Sequence, residues 1–507
     1  MEELQQNYDF SKSPHRPFFP TGKREFLFLL LILVTGWLLC NSVFYAGCNL
    51  GFAIFAGCAV LISAGYLLWQ GHKLRVYSAL LLVLSLVISA SFARSDDGFV
   101  KFILFLFLIL GSNLGLCLLA GQNGRSTGGV TSLLDLFRTV FMLALGRCPK
   151  VFRGLRRGVE ESGTLGRKGS AVGIGLVVSI PLLAIVIPLL VSADAAFEGI
   201  LELLPDWDLA EILLSVIFGT ALAGFFYCRG VALHHTPKGA AADRSRRGIS
   251  ALTINTVLVM IGIVYLAYLL SQLAYFSGGF AGILPEGYTT AEYARRGFFE
   301  MAWLCAINLA VMSLAVGLVA KEKTAPLFTR LLCLFLGLVT LFLVASASAK
   351  MFLYIGSFGL TRLRLLTQVI IFFLGITTVT VSVWLFVPKL AYMRVVLIAA
   401  LVIGAAVAWA DVDTVVARYN VNGYLEGRYT NIDVYYLSEL GNGAVPYIAQ
   451  LTEVPDPILS EKAKNALPAP AQVDWEDFRD WNYVNYIAET YVPQNKLTDT
   501  AADSSER

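Results

Sequence analysis

Histidine is scarce: the chain has four in 507 residues, His15, His72, His234 and His235, and none lies inside a long apolar run. A haem or a histidine metal cage within a bilayer therefore has no ligands to draw on. The eight cysteines, Cys40, Cys48, Cys58, Cys117, Cys148, Cys228, Cys305 and Cys333, form no C-x-x-C pair. They read as small apolar packing residues. No phosphate-binding Walker loop, nucleophile elbow or H-E-x-x-H motif is present. Charged residues make up only 15% of the chain, and few of them fall within the apolar runs, where pumps and proton-coupled transporters keep theirs. These gaps point away from metal chemistry, from a bound cofactor and from any recognisable catalytic residue. Because the basic residues are divided among short loops, nucleic acid is not an expected partner either.

What the chain has is length without polarity. Hydrophobic residues make up 57% of it and the mean hydropathy is +0.68, well above a soluble domain. Apolar runs of spanning length lie at about 26–44, 46–69, 76–93, 99–120, 171–192, 211–228, 249–271, 298–320, 330–349, 366–388 and 392–410. A bilayer core takes about 20 apolar residues per helix and requires each backbone polar group to be bonded within it. The expected fold is all-α, a polytopic membrane helical bundle of about 11 transmembrane helices with a small C-terminal α-helical extracytoplasmic domain. The division is 1–25 as a cytoplasmic N-terminal segment, 26–410 as the bundle, 411–491 as the helical domain and 492–507 as a disordered tail. The first run does not read as a cleaved signal peptide, since about 25 polar residues precede it and no small-residue cleavage site follows.

Charge sets the expected orientation. Clusters at Arg147, Lys150, Arg153, Arg156, Arg157, Arg167 and Lys168, and at Arg229, Lys238, Arg244, Arg246 and Arg247, mark cytoplasmic loops. The N-terminus then lies inside and, after eleven crossings, the C-terminus outside. From residue 411 onward, 16 Asp and Glu face 7 Lys and Arg, so the exported part is acidic. The stretch 130–146 carries Asp135 and Arg138 near its middle and a Ser132-x-x-Asp135 capping pattern, which suits an amphipathic helix lying on the cytoplasmic surface. The basic loops are the expected meeting place for an anionic lipid or a cytoplasmic protein partner, and the bilayer is the general partner.

Within the runs, Glu300 and Asn308 are candidate polar intramembrane residues. Pro181 and Pro188 share one face of a span, where each removes a helix hydrogen bond and kinks it. The most unusual segment is A-K-M-F-L-Y-I-G-S-F-G-L-T-R-L-R, residues 349–364, which puts Lys350, Arg362 and Arg364 on the outer side against the charge rule. With Gly356 and Gly359 interrupting it, the segment reads as a re-entrant or broken helix. Its cations, with Tyr354, form a candidate site for an anion or for docking the acidic tail. The tail itself reads as helices from Asp411 to Gly423, over 431–440, 444–452 and 458–467, and from Asp474 to about Tyr491. Asp411, Asp413 and Asp433 lie nearest the membrane in sequence and are the expected partners for Arg362 or Arg364.

Four stretches carry a family likeness: Y-I-G-S-F-G-L-T-R-L-R at 354–364, A-R-Y-N-V at 417–421, I-D-V-Y-Y-L-S-E-L-G-N-G-A-V-P at 432–446 and D-F-R-D-W-N at 477–482. In these the chain resembles a family of bacterial multispanning proteins, domain of unknown function 4173, related to 4153. It departs from that pattern at Asn442 and Gly423, where the family carries Asp and Arg. The resemblance implies a bacterial inner or plasma membrane protein and brings no activity, cofactor or catalytic residue with it. Three functions fit the residues: a non-enzymatic sensor-like or scaffold component, a transporter of a lipid or other anionic solute, and an intramembrane transferase on lipid-linked substrates. The last needs a carboxylate at the outer face, for which Glu300 and Asp411 are the candidates.

Overall fold

A computed structural model describes residues 22–39, 47–121, 209–235, 249–279, 298–318, 326–388, 390–468 and 478–491, with isolated positions between 146 and 186. Among the described residues the regular elements are helices. The long ones are α1 (Lys23–Leu39), α2 (Leu50–Trp69), α3 (Val76–Ser91), α4 (Gly98–Leu119), α5 (Leu209–His235), α6 (Ala251–Gly279), α7 (Phe298–Leu318), α8 (Leu327–Phe358), α9 (Arg362–Phe386) and α10 (Tyr392–Ala410). Seven of the described helices are long and apolar enough to cross a membrane. The chain is a multi-pass helical membrane protein. Ten of the eleven apolar runs fall on these helices. Apart from Gly146, Ser179 and Val186, the run at 171–192, with Pro181 and Pro188, and the surface helix expected at 130–146 lie outside the described residues, as does the segment 492–507.

Packing divides the bundle into two groups. In the first, α1 lies against α2 and α5, and α3 against α2 and α4; in the second, α6 and α7 both pack on α8, and α9 on α8 and α10. The last helix, α10, rests on α3 and α4 and joins the groups. Without water to drive association, membrane helices approach where side chains are small. At the α1–α5 crossing, a Cβ on Gly36 would stand 2.7 Å from the Gly219 carbonyl oxygen, and one on Gly219 would stand 2.7 Å from that of Gly36. Beside this contact the Trp37 indole N–H donates to Thr220 Oγ1 at 2.8 Å. Asn308, only 1% exposed, ties three helices: it accepts from the Tyr265 hydroxyl of α6 at 2.9 Å and donates to Thr340 of α8 at 3.1 Å.

Past Asp411 the chain folds into short helices: α11 (Val412–Leu425), α12 (Val434–Glu439), α13 (Val445–Leu451), α14 (Pro457–Ala466) and α15 (Tyr483–Thr490), with 3-10 turns at Gly441–Ala444 and Phe478–Asp480. Each of four begins on a side-chain cap: Asp411, Asp433, Asp456 and Asn482 accept from the first-turn amides of α11, α12, α14 and α15. The first helix runs two residues beyond Gly423, and the run expected from Asp474 is broken at Asn482, whose side chain starts a new helix. The apolar core of these helices, with Val416, Leu437, Ile448 and Ala463, is continuous with that of the bundle through Leu360, Leu401 and Ala408.

A side chain at the Gly36–Gly219 crossing forces backbones apart. Gly219→Val is expected to cost about 1–3 kcal/mol. Thermal unfolding of the detergent-solubilised protein followed by circular dichroism should show a lowered midpoint, while Gly262→Ala, which meets only the Phe335 ring at 3.6 Å, should leave it nearly unchanged.

Candidate functional site

The turn between α8 and α9 consists of Gly359, Leu360 and Thr361. At 32 residues, α8 is about 48 Å long, well beyond a hydrocarbon core of about 30 Å. The helix is continuous through Gly356 and stops only at Gly359, whose φ of +73° closes it. The broken or re-entrant element expected here is thus a plain helical hairpin, because one left-handed residue suffices to end α8 and Thr361 caps α9 by accepting from the Arg364 amide.

Asn420 of α11 holds this turn. Its Oδ1 accepts from the Leu360 amide at 2.8 Å and its Nδ2 donates to the Leu360 carbonyl at 2.7 Å, satisfying both polar groups of one peptide residue. A Cβ on Gly359 would lie 2.7 Å from the same Oδ1, so glycine is required both for its backbone angle and for space. Tyr436 of α12 accepts from the Arg362 amide at 2.9 Å, and Tyr429 donates to the Ile355 carbonyl at 3.3 Å. The motifs Y-I-G-S-F-G-L-T-R-L-R and A-R-Y-N-V thus meet across one hairpin turn.

Arg362 joins three parts of the chain. Its Nε donates to Asp413 Oδ1 at 2.7 Å, and its Nη1 lies 3.3 Å from Asp97 Oδ2 at the start of α4. Both aspartate side chains are 7% exposed, while that of Arg362 is 38% exposed. Asp97 also caps α4, accepting from the Val100 amide at 2.7 Å. Asp411, 3% exposed, caps α11 through the Thr414 amide at 3.1 Å and hydroxyl at 2.5 Å. Of the three acids expected near the arginines, Asp413 is the one paired; Asp411 and Asp433 serve helix starts. Burial pushes the Asp413 carboxyl up to about 6. The Arg362 guanidinium pulls it back down, but Asp411 and Asp97 add further negative charge and loss of water prevails.

Arg364 is occupied elsewhere. Its guanidinium lies 4.1 Å from the Tyr354 ring centre and donates to the Phe358 carbonyl at 3.0 Å and to that of Gly359. It thereby covers the last carbonyls of α8, where a cation is favoured. Lys350 lies half-buried on α8, two turns from the hairpin tip. Glu300 sits exposed in the first turn of α7. Asn308 belongs to the interhelical bonds described above and lies apart from Arg362.

The D-F-R-D-W-N stretch forms a second clasp at the same end. Asn482 donates to Asn49 Oδ1 at 3.2 Å and to the Ser95 carbonyl at 3.0 Å. Backbone bonds run from Leu50 to Trp481 at 3.1 Å and from Tyr483 to Ala93 at 2.8 Å. Lys101 donates to Asn49 at 2.7 Å and lies 4.0 Å from Asp96.

The opposite end holds a cluster that the residue pattern did not suggest. Glu25, buried at the start of α1, accepts from the Tyr66 hydroxyl at 3.2 Å and from the Gln70 amide. Nearby, His72 Nε2 and His234 Nδ1 are 3.1 Å apart, and the His235 ring centre is 4.6 Å from that of His234. The adjacent pair His234–His235 in the last turn of α5 was the only signal available in the sequence. Among the described residues, no group of three or more His, Cys, Asp or Glu is arranged to hold a metal ion.

Two substitutions separate the contributions. Asn420→Ala removes two hydrogen bonds to a buried peptide and should cost roughly 2–3 kcal/mol. Arg362→Gln removes the guanidinium that contacts both Asp413 and Asp97 and should cost roughly 1–2 kcal/mol, discounted for the exposure of the arginine side chain. Asp413→Asn should cost less than either above pH 6, since it removes a carboxylate that burial disfavours. Denaturant unfolding of the three variants, compared at pH 7.5, checks the order.

No curated protein and no solved structure matches the chain. The family model described as Domain of unknown function (DUF4153) matches residues 56–451. That span takes in most of α2 and all of α3 to α13, with the hairpin turn, Arg362, Asp413 and Asn420, and stops before the D-F-R-D-W-N stretch. It is the relative named for the four motifs, and with most of the length covered the chain belongs to the DUF4153 family.

Proposed function

We propose that this protein is a non-enzymatic, sensor-like or scaffold component of a bacterial cytoplasmic membrane. Its C-terminal helices lie on the outer face as an extracytoplasmic domain and clasp the α8–α9 hairpin. The basic loops face the cytoplasm and meet an anionic lipid or a protein partner there; of the residues named for them, Arg229 is instead buried within α5. One observation carries this reading: the Arg362 guanidinium is shared between Asp97 of the bundle and Asp413 of the C-terminal helices. A cation placed there to receive an anionic solute would be free of internal carboxylates. Arg362 is held by two, and Arg364 lies over Tyr354. The transporter reading, which relied on these two arginines, is supported less, and so is a transferase using Asp411, whose carboxylate is engaged as a helix cap.

The raised Asp413 carboxyl makes the clasp responsive to protons. Its value rises from 3.8 when free to about 6 in the folded chain, so the docked state binds a proton more tightly than the released one. The contribution is full below about pH 4 and is lost as pH rises through about 6, a span worth roughly 3 kcal/mol. Hydrogen exchange at α11 and α12 should therefore slow as pH falls from 7 to 5, after correction for the intrinsic rate. Asp413→Asn should abolish that dependence. Exchange that quickens under acid would refute the proton-linked clasp.

Orientation has its own test. A cysteine at Ser460, in a chain freed of native cysteines, should react with an impermeant thiol reagent in intact cells, whereas one at Arg246 should react only after lysis. The reverse pattern places the C-terminal helices inside. Uptake of lipid or anionic solute by vesicles containing the purified protein would overturn the non-transporting reading.

A further inference from the structure

We propose that α15 and the 3-10 turn before it form an interfacial anchor, with an exposed aromatic edge lying in the headgroup layer of the bilayer. Depth is fixed by the spanning helices. The Leu50 amide that starts α2 donates to the Trp481 carbonyl at 3.1 Å, and the Tyr483 amide that starts α15 donates to the carbonyl of Ala93, two residues past the end of α3, at 2.8 Å. Asn482 donates to the Ser95 carbonyl. Residues 481–483 are thereby pinned at the level where two membrane helices end, which is the level of the headgroups.

The residues presented there have the chemistry of that layer. Val484 and Ala488 form the buried face of α15. Away from that face Tyr483 is 40% and Tyr486 49% exposed, Tyr491 just past the helix is 48% exposed, and Phe478 in the preceding turn is 58% exposed. An exposed row of aromatics is unfavourable in water and favoured at a membrane interface, where an apolar ring and a polar edge are both accommodated. Arg94 links this edge to the bundle: its guanidinium lies 4.8 Å from the Tyr483 ring centre and donates to the carbonyl of Trp409. Trp409, near the end of α10 and 44% exposed, donates its indole N–H to the Val87 carbonyl at 3.1 Å. Trp409, Arg94, Tyr483 and Tyr486 thus continue the lipid-facing surface of α3 and α10 onto α15. The occupant that matches this continuity is the lipid interface, on whichever side of the membrane the C-terminal helices stand.

The test places a bimane fluorophore on Tyr486→Cys and, separately, on Phe478→Cys, with Glu461→Cys on the exposed face of α14 as the reference, all in a chain without native cysteines. The protein is reconstituted in vesicles of phosphatidylcholine and phosphatidylglycerol, with nitroxide placed either on the lipid headgroup or on a soluble chelate. Headgroup nitroxide is expected to quench positions 486 and 478 about twofold more than 461, with the soluble quencher showing the opposite order. Equal quenching at all three positions, with the soluble reagent dominant, would overturn the proposal and leave α15 in water. Protection at 486 and 478 from both reagents that disappears on diluting the protein within the vesicles would also overturn it, in favour of a second copy covering the edge.

Discussion

The guanidinium of Arg362, set between Asp97 at the head of α4 and Asp413 in α11, is the contact on which the arrangement of the C-terminal helices depends. It is a buried-acid problem in which one cation touches two of the acids. Two carboxylates are almost wholly removed from water, and the charge of a third, Asp411, bears on Asp413. Such a group is tolerated only where charge and hydrogen bonds compensate the lost hydration. The compensation is incomplete, which is why the Asp413 carboxyl rises toward neutrality despite direct contact with an arginine. The partially exposed guanidinium keeps the pair reachable by water and protons.

Around this contact the chain satisfies its helix ends almost residue by residue. Asp97, Thr361, Asp411, Asp433, Asp456 and Asn482 each start a helix by accepting from its first amides. An N-terminus carries unsatisfied N–H groups and a partial positive charge, so an acidic cap meets both needs at once. Asp411, Asp433 and Asp456 are thus committed locally, whereas Asp413 reaches across to the hairpin. Asn420 performs the neutral counterpart of that reach by satisfying both polar groups of Leu360.

The two ends of the bundle are chemically unlike. At the Gly359 end, short helices bring carboxylates and amides to the turns of the bundle. At the other end Glu25, Tyr66, Gln70, His72 and His234 form a compact polar cluster between α1, α2 and α5. These two polar regions flank an interior in which Asn308, Thr340 and Tyr265 are bonded to one another across α6, α7 and α8.

The spanning helices were legible in the sequence because a bilayer imposes a length and an apolar composition that few other structures require. So were most of the short helices after Asp411, from the helical spacing of apolar residues and the breaks at glycine and proline, although the last run is interrupted at Asn482. The segment around Gly359 stood out for the same kind of reason, since Lys350, Arg362 and Arg364 contradict the charge pattern of the loops. What composition left undecided was which partner each charged group takes. Asp97 gave no sign of facing Arg362, because 265 positions separate them and only the packing of α10 on α3 and α4 with α9 alongside brings them together. Asp411, Asp413 and Asp433 looked equivalent in sequence; the onset of α11 at Val412 and of α12 at Val434 turns two into caps and leaves one to pair. The histidines at 72 and 234 met for the same reason. Sequence determines which segments leave water and where helices begin, since those depend on neighbours along the chain. Pairing between distant charges depends on which helices pack side by side, and that is decided only in three dimensions.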